Sequence, residues 1–172
     1  LPAPDGEKTP FAAVTFFSSD RTQQVKELAD YSHLQRLLDG LIANRNMFYA
    51  IRIDGTFPYV KTRSVPEQAK PYPPLAEVTK NQPVFEMRNV RGSVVGFYCP
   101  PYMEGLNVPG YHLHFVTEDR RQGGHLLECS LQEGTLQMDQ TRGFYMTLPD
   151  GSDFAKADLT TGRTEELKKA ES

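Results

Sequence analysis

One stretch, Gly110 to Cys129, constrains this chain more than any other: Gly-Tyr-His-Leu-His-Phe-Val-Thr-Glu-Asp-Arg-Arg-Gln-Gly-Gly-His-Leu-Leu-Glu-Cys. It holds His112, His114 and His125, three of the 4 histidines in 172 residues. Alternation of histidine with Tyr111, Leu113 and Phe115 suits a β-strand, in which side chains i and i+2 share a face, so His112 and His114 project together. The polar run from Thr117 to Gly124 ends in two glycines and reads as a hairpin loop. A second strand, His125 to Leu131, then returns beside the first. With residue 116 opposite 125, His114 faces Leu127, and His125 lies diagonally across from His114, roughly 7–8 Å away on the same face. A slip of one residue would send His125 to the other face.

A solitary histidine is ordinarily a satisfied core or surface residue, and that reading stands for each of the three taken singly. Three at this spacing, with only one elsewhere, favour a metal. Neutral imidazoles suit zinc, and three protein ligands with an open fourth position is the pattern of a catalytic rather than a structural ion. No Cys-x-x-Cys is present to build a closed thiolate site. The formal charge of −3 gives no electrostatic case for nucleic acid or an anionic membrane. No apolar run approaches the roughly 20 residues that span a bilayer as a helix. Cys99 and Cys129 are too few for a disulfide framework and are expected as two buried thiols. The chain opens on Leu1 with no secretory n- or h-region, and the expectation is that it was processed, truncated or cut from something longer.

The remaining elements follow from pattern. Thr9–Phe17 is apolar and β-prone and predicts a strand, with Ser18, Ser19 and Asp20 as helix N-cap candidates. From Val25 onward, Leu28, Tyr31, Leu34, Leu37, Leu38, Leu41 and Ile42 recur at helical spacing, with Gly40 weakening or ending the helix. His33 falls on that helix's surface and carries no role. Met47–Ile53 and Phe57–Ser64 flank Asp54-Gly55 as a hairpin. On the residues alone, Arg63 near its end is an exposed strand cation. Val65–Pro83 carries Pro66, Pro71, Pro73, Pro74 and Pro83 and reads as a connector with a short helix around Leu75–Lys80. Beyond it, Val84–Met87 and Ser93–Cys99 flank Asn89–Gly92 as another hairpin, and Gly134–Gln140 and Phe144–Leu148 complete about six short strands. The tail from Ser152 is polar and ends in a helix-like Thr164–Glu171. These elements predict an α+β, mostly β chain: a mixed or antiparallel sheet with a helix over residues 1–83, then a small antiparallel β-barrel over 84–172 with a metal at its mouth.

Two families share parts of this pattern. His112, His114 and Glu118 resemble the His-x-His…Glu core of cupins, but the flanking glycine spacing is off and no second cupin motif follows. A closer similarity runs from about Thr9 to the C-terminus. Asn46–Phe57, Val60–Pro74, Lys80–Phe85, Gly105–Arg120 and Gly123-Gly-His125 resemble the α-acetolactate decarboxylase family. That resemblance implies a catalytic zinc on His112, His114 and His125. It also implies an active-site arginine at Arg63, in place of the exposed cation, and a C-terminal glutamate reaching into the site, with Glu171 the best match ahead of Glu165 and Glu166. The implied reaction converts 2-acetolactate to acetoin and carbon dioxide without an organic cofactor. The implied assembly is a homodimer, with no nucleic-acid or membrane partner, in the cytoplasm or, as for some relatives, exported. Family members carry a further segment before Thr9-Pro-Phe-Ala that supplies strands, a glutamate and a threonine to the site. The expectation is that this chain lacks it. Glu118 or Asp119 is a further candidate for the metal or for orienting a histidine, against the plainer reading that both solvate the loop. The alternative function is a non-catalytic or cupin-like metal-binding barrel.

Overall fold

A computed structural model describes residue 6 and residues 11–69, 73, 75–78, 82–149 and 151–156. The elements, in chain order, are β1 (Arg21–Leu28), α1 (Tyr31–Leu41), β2 (Phe48–Arg63), α2 (Leu75–Val78), β3 (Val84–Cys99), β4 (Gly110–Thr117), β5 (Gly123–Thr141) and α3 (Ser152–Ala155), with a 3-10 turn at Pro101–Met103. The strands form one antiparallel sheet in the order β1-β5-β2-β3-β4, and β4 pairs a second time, with β5. The mostly β, antiparallel character and the helix stand as expected. Strands from both sides of the proline-rich connector share this one sheet, because β2 pairs along its length with both β3 and β5. No helix among the described residues is long and apolar enough to cross a membrane.

Both expected turn dipeptides lie inside long strands. Asp54-Gly55 is no hairpin: Asp54 pairs with Ser93 on one side and Thr135 on the other, and Gly55 with Gly92 and Gly134. The glycine serves close approach instead, since a Cβ at Gly55 would lie 2.5 Å from the Glu133 carbonyl oxygen and 2.9 Å from Gly134 Cα. Three glycines at one level across β5, β2 and β3 let the strands coil sharply where any side chain would hold them apart. Asn89–Gly92 likewise continues β3, and the ladder skips only the pair between Pro58, which has no N–H, and Asn89, whose φ is 52°. Gly134 sits within β5, so His125–Leu131 and Gly134–Gln140 are a single strand.

The ends of the chain depart further from the pattern. Residues 11–17 form no ladder; Val14 and Phe16 are exposed. The first strand is the more polar β1, which pairs with the second half of β5 and buries Val25. Helix α1 starts at Tyr31 rather than after Asp20, because Asp30 is its N-cap and accepts a hydrogen bond from His33 N–H at 2.8 Å. It runs through Gly40, and Leu34 and Leu38 are fully buried against the sheet. Phe144–Leu148 has no regular structure and is exposed. The short helix at Leu75–Val78 forms where expected, whereas the helix-like stretch 164–171 lies outside the described residues.

The core lies between α1 and the concave sheet, built from Leu38, Ile53, Phe57, Val60, Val94, Leu113, Phe115 and Leu136. Phe57 and Phe115 meet edge to face at a centroid distance of 5.2 Å. The two cysteines are both buried and unbridged, as expected. Tyr111 ties β4 to the helix, its hydroxyl donating to Asp39 Oδ1 at 2.8 Å, while Arg45 pairs with the same carboxylate at 3.1 Å.

Two glycines give opposite predictions. At Gly40 an added Cβ meets nothing within 4 Å, so Gly40→Ala should stabilise the fold by about 0.5–1 kcal/mol through helix propensity and a more restricted unfolded chain. Gly55→Ala should destabilise it by about 1–3 kcal/mol, because backbone atoms must move. Urea denaturation of both variants would measure the two signs.

Candidate metal centre

Along β4, Leu113, Phe115 and Thr117 are buried, while His112, His114 and Val116 lie on the opposite face. The histidines therefore stand on the outer face of the sheet, away from the core, rather than at interior positions of a barrel mouth. The register also differs from the expected one by two residues: His114 faces His125 directly, with Phe115 opposite Gly124 and Val116 opposite Gly123. A shift of two preserves the face and brings the imidazoles closer than a diagonal pairing would.

A local irregularity puts His125 on that face. On β2, Lys61 pairs with Glu128 but Thr62 pairs with Leu126, so Leu127 is an extra residue with no partner. On the core-facing side of the bulge lie Cys129 and Leu131; beyond it the buried position is Leu126. Without the bulge, strict alternation from Leu131 would turn His125 into the core, so the extra residue re-aims it outward. The two glycines before it have their own reason. A Cβ at Gly123 would lie 2.4 Å from the Phe115 carbonyl oxygen on β4, and one at Gly124 would lie 2.5 Å from the Arg63 carbonyl oxygen on β2. Only glycines let the start of β5 pass between those two strands. Gly96 does the same for β3 and β4, where a Cβ would collide with the His112 carbonyl oxygen.

The three rings converge. His112 Nε2 and His114 Nε2 are 3.2 Å apart, and ring centroids are 4.9 Å apart for His112 and His125 and 5.4 Å for His114 and His125. One nitrogen from each ring can be chosen so that all three lie within 4.8 Å of one another. Tetrahedral zinc with Zn–N near 2.0–2.1 Å needs nitrogens about 3.3 Å apart, a spacing that His112 Nε2 and His114 Nε2 already have. Electrostatics favour the ligand form of the imidazoles. Burial, then the Arg63 guanidinium and then the other two rings push the pKa of His125 down to about 3. Burial and Arg63 also lower that of His112. Both rings are neutral at pH 7, as metal coordination requires.

Arg63 lies directly opposite His125 across β2 and β5 and is 7% exposed. The exposed strand cation does not describe it. Glu118 is exposed and pairs with Arg91 at 3.5 Å. Asp119 accepts from Thr117 Oγ1 at 2.6 Å and from Arg121 N–H at 3.0 Å, which shapes the β4–β5 turn and holds its carboxyl below the usual range. Neither carboxylate joins the histidine group among the described residues. Glu165, Glu166 and Glu171 lie outside the described residues.

A cleft of about 660 Å³ opens beside His112 and His114, walled by Val95, Phe97 and Val108 and by Phe11–Thr15 and Phe17 of the N-terminal segment, with Arg52 at its side. Sequence reasoning singled out neither Arg52 nor the bulge. Gly96, a glycine within an apolar strand, was the available signal of a close approach.

An outer-face cluster of three histidines beside a buried arginine, on a mostly antiparallel sheet, defines a candidate metal centre with an adjoining cleft for a small molecule. The chain belongs to the alpha-acetolactate decarboxylase family, whose model matches residues 1–161. It is 48% identical over 163 residues to the alpha-acetolactate decarboxylase of Methanosarcina mazei, covering 95% of this chain and 57% of that protein. Against that of Brevibacillus brevis it is 44% identical over 169 residues, covering 98% and 59%. The crystal structure of alpha-acetolactate decarboxylase from Bacillus subtilis strain 168 superposes with a TM-score of 0.87 at 39% identity, covering 91% of this chain and 68% of that one. The chain therefore spans less than two thirds of the length of these two curated relatives.

Deleting Leu127 leaves Leu126 opposite Thr62 and Glu128 opposite Lys61 as consecutive pairs, so His125 keeps its outward face and bound metal should stay near that of the unmodified chain. Leu127→Ala keeps the bulge and should also keep the metal. Elemental analysis of both variants after equal zinc loading checks this, and loss of metal from the deletion variant alone would overturn the register.

Proposed function

We propose that this chain carries the active centre of a zinc-dependent decarboxylase that converts 2-acetolactate to acetoin and carbon dioxide. The observation that carries the reading is the convergence of His112, His114 and His125 beside buried Arg63. The ion would be held by those three rings, with the fourth position left to substrate, in the pattern of catalytic zinc. When bound, it supplies Lewis-acid stabilisation of negative charge on the substrate's keto and hydroxyl oxygens.

The residues of the chain do the rest. In the reaction the bond from C2 to the carboxyl carbon breaks, carbon dioxide leaves, and the electron pair moves toward the neighbouring ketone. Arg63 presents a permanently charged, directional fork to the substrate's oxygens, and its burial strengthens that contact because little water competes. The neutral His112 and His125 add no positive charge of their own. Glu171 is assigned, from the family resemblance, as the general acid that returns a proton to carbon. The apolar wall of Val95, Phe97 and Val108 limits water around the reacting carbon. The reading takes the sheet to be a small barrel, which the second pairing of β4, onto β5, supports, and includes a cytoplasmic homodimer. The cupin-like alternative is disfavoured by Glu118, whose carboxylate is engaged with Arg91.

Metal content and acetoin formation measured on one sample test the proposal; one zinc per chain with acetoin release is expected. His114→Ala should abolish both while leaving the far-UV circular dichroism unchanged, and stoichiometric zinc in that variant would overturn the ligand assignment. Glu171→Gln should keep the zinc and lower kcat by about 10²–10⁴-fold.

A further inference from the structure

The register of the sheet places two arginines symmetrically about the histidines. Arg52 of β2 faces Val95 of β3, Val95 faces His114 of β4, His114 faces His125 of β5, and His125 faces Arg63 at the other end of β2. Residues directly opposite one another share a face, so these five side chains form one row on the outer surface of the sheet. Each arginine is two strands from His114, about 10 Å from backbone to backbone. That gap suits a short hydroxy acid seated between a metal and a guanidinium.

The two arginines differ in setting. Arg63 is buried, whereas the Arg52 side chain is 51% exposed and lines the 660 Å³ cleft with His112 and His114. Among the described residues, Arg52 is the one arginine, lysine or carboxylate lining that cleft. Its arm is aimed rather than loose: Nε–H donates to Asp54 Oδ2 at 2.7 Å, and Asp54 Oδ1 accepts from the Ser93 hydroxyl at 2.5 Å. That pairing engages Nε and leaves the two terminal amino groups available, the fork that takes a carboxylate.

We propose that Arg52 binds the substrate's carboxylate, on the far side of the histidines from Arg63; the assignment rests on the decarboxylase reading. The chemistry favours this division. Carbon dioxide leaves as a neutral molecule, so a strong buried contact to the carboxylate would stabilise the reactant more than the transition state. A half-exposed guanidinium captures the anion without that cost, and buried Arg63 is then reserved for the oxygen on which charge grows. Asp54 and Ser93 act as positioning residues through Arg52.

The test uses the zinc-loaded chain and two probes, 2-hydroxy-2-methylbutanoate, which carries the carboxylate, and acetoin, which does not. By calorimetry, Arg52→Gln should weaken binding of the carboxylate probe by about tenfold or more, the loss expected for a charge-assisted hydrogen bond. Acetoin affinity and zinc content should stay as in the unmodified chain, and Arg52→Lys should recover part of the loss. With acetolactate, KM should rise in Arg52→Gln while kcat changes little. Unchanged carboxylate affinity, or an equal loss for both probes, would overturn the assignment. Absence of acetoin from the unmodified chain would overturn the decarboxylase reading alone, and the two probes would still decide Arg52.

Discussion

The start of β5 is held on both edges at once, by β4 through His114, Phe115 and Val116 and by β2 through Thr62 and Arg63. Everything at the candidate centre depends on that double pairing. It places His125 opposite a histidine on one side and an arginine on the other, and it fixes their common face. Gly123 and Gly124 make room for it, each where a side chain would strike a backbone oxygen. The extra residue at Leu127 then settles which way the imidazole points.

The same strands meet two demands, and the face each side chain takes separates them. Inward positions of β2, β4 and β5 supply Ile53, Val60, Leu113, Phe115 and Leu136 to a core closed on its other side by α1. Outward positions supply the histidines and arginines. Burying each large apolar side chain is worth about 1.5–3 kcal/mol, and that packing offsets the burial of Arg63 and the desolvation of His112 and His125. The polar face is thus carried by the apolar one.

Much of the centre was legible because period-two alternation is a strong signal. His112 and His114 had to share a face, and the doubled glycine before His125 marked the return. The position of His125 was not legible: an extra residue among Leu126, Leu127 and Glu128 leaves no mark in composition, yet it reverses a face. The turn dipeptides misled for a related reason. Asp54-Gly55 and the Asn89–Gly92 stretch carry turn chemistry, but glycine serves close approach between strands as well as positive φ, and only the partners of Gly55 and Gly92 distinguish the two uses. Thr9–Phe17 has strand composition, while a strand forms only within a ladder, and residues 11–17 lie in no strand. Arg63 read as an exposed cation because burial at a strand end depends on what crosses over it. Family resemblance supplied what periodicity could not.

The β4–β5 ladder is three residue pairs long, far shorter than the β2–β5 ladder beside it. Such a seam is the natural first place for the sheet to open. An ion gripped by His114 and His125 would bridge the seam like a rivet, since neither strand could part from the other without breaking a coordinate bond. Loss of the ion and fraying of the seam would then be one event, and the residence time of the metal would be governed by how often the sheet breathes there.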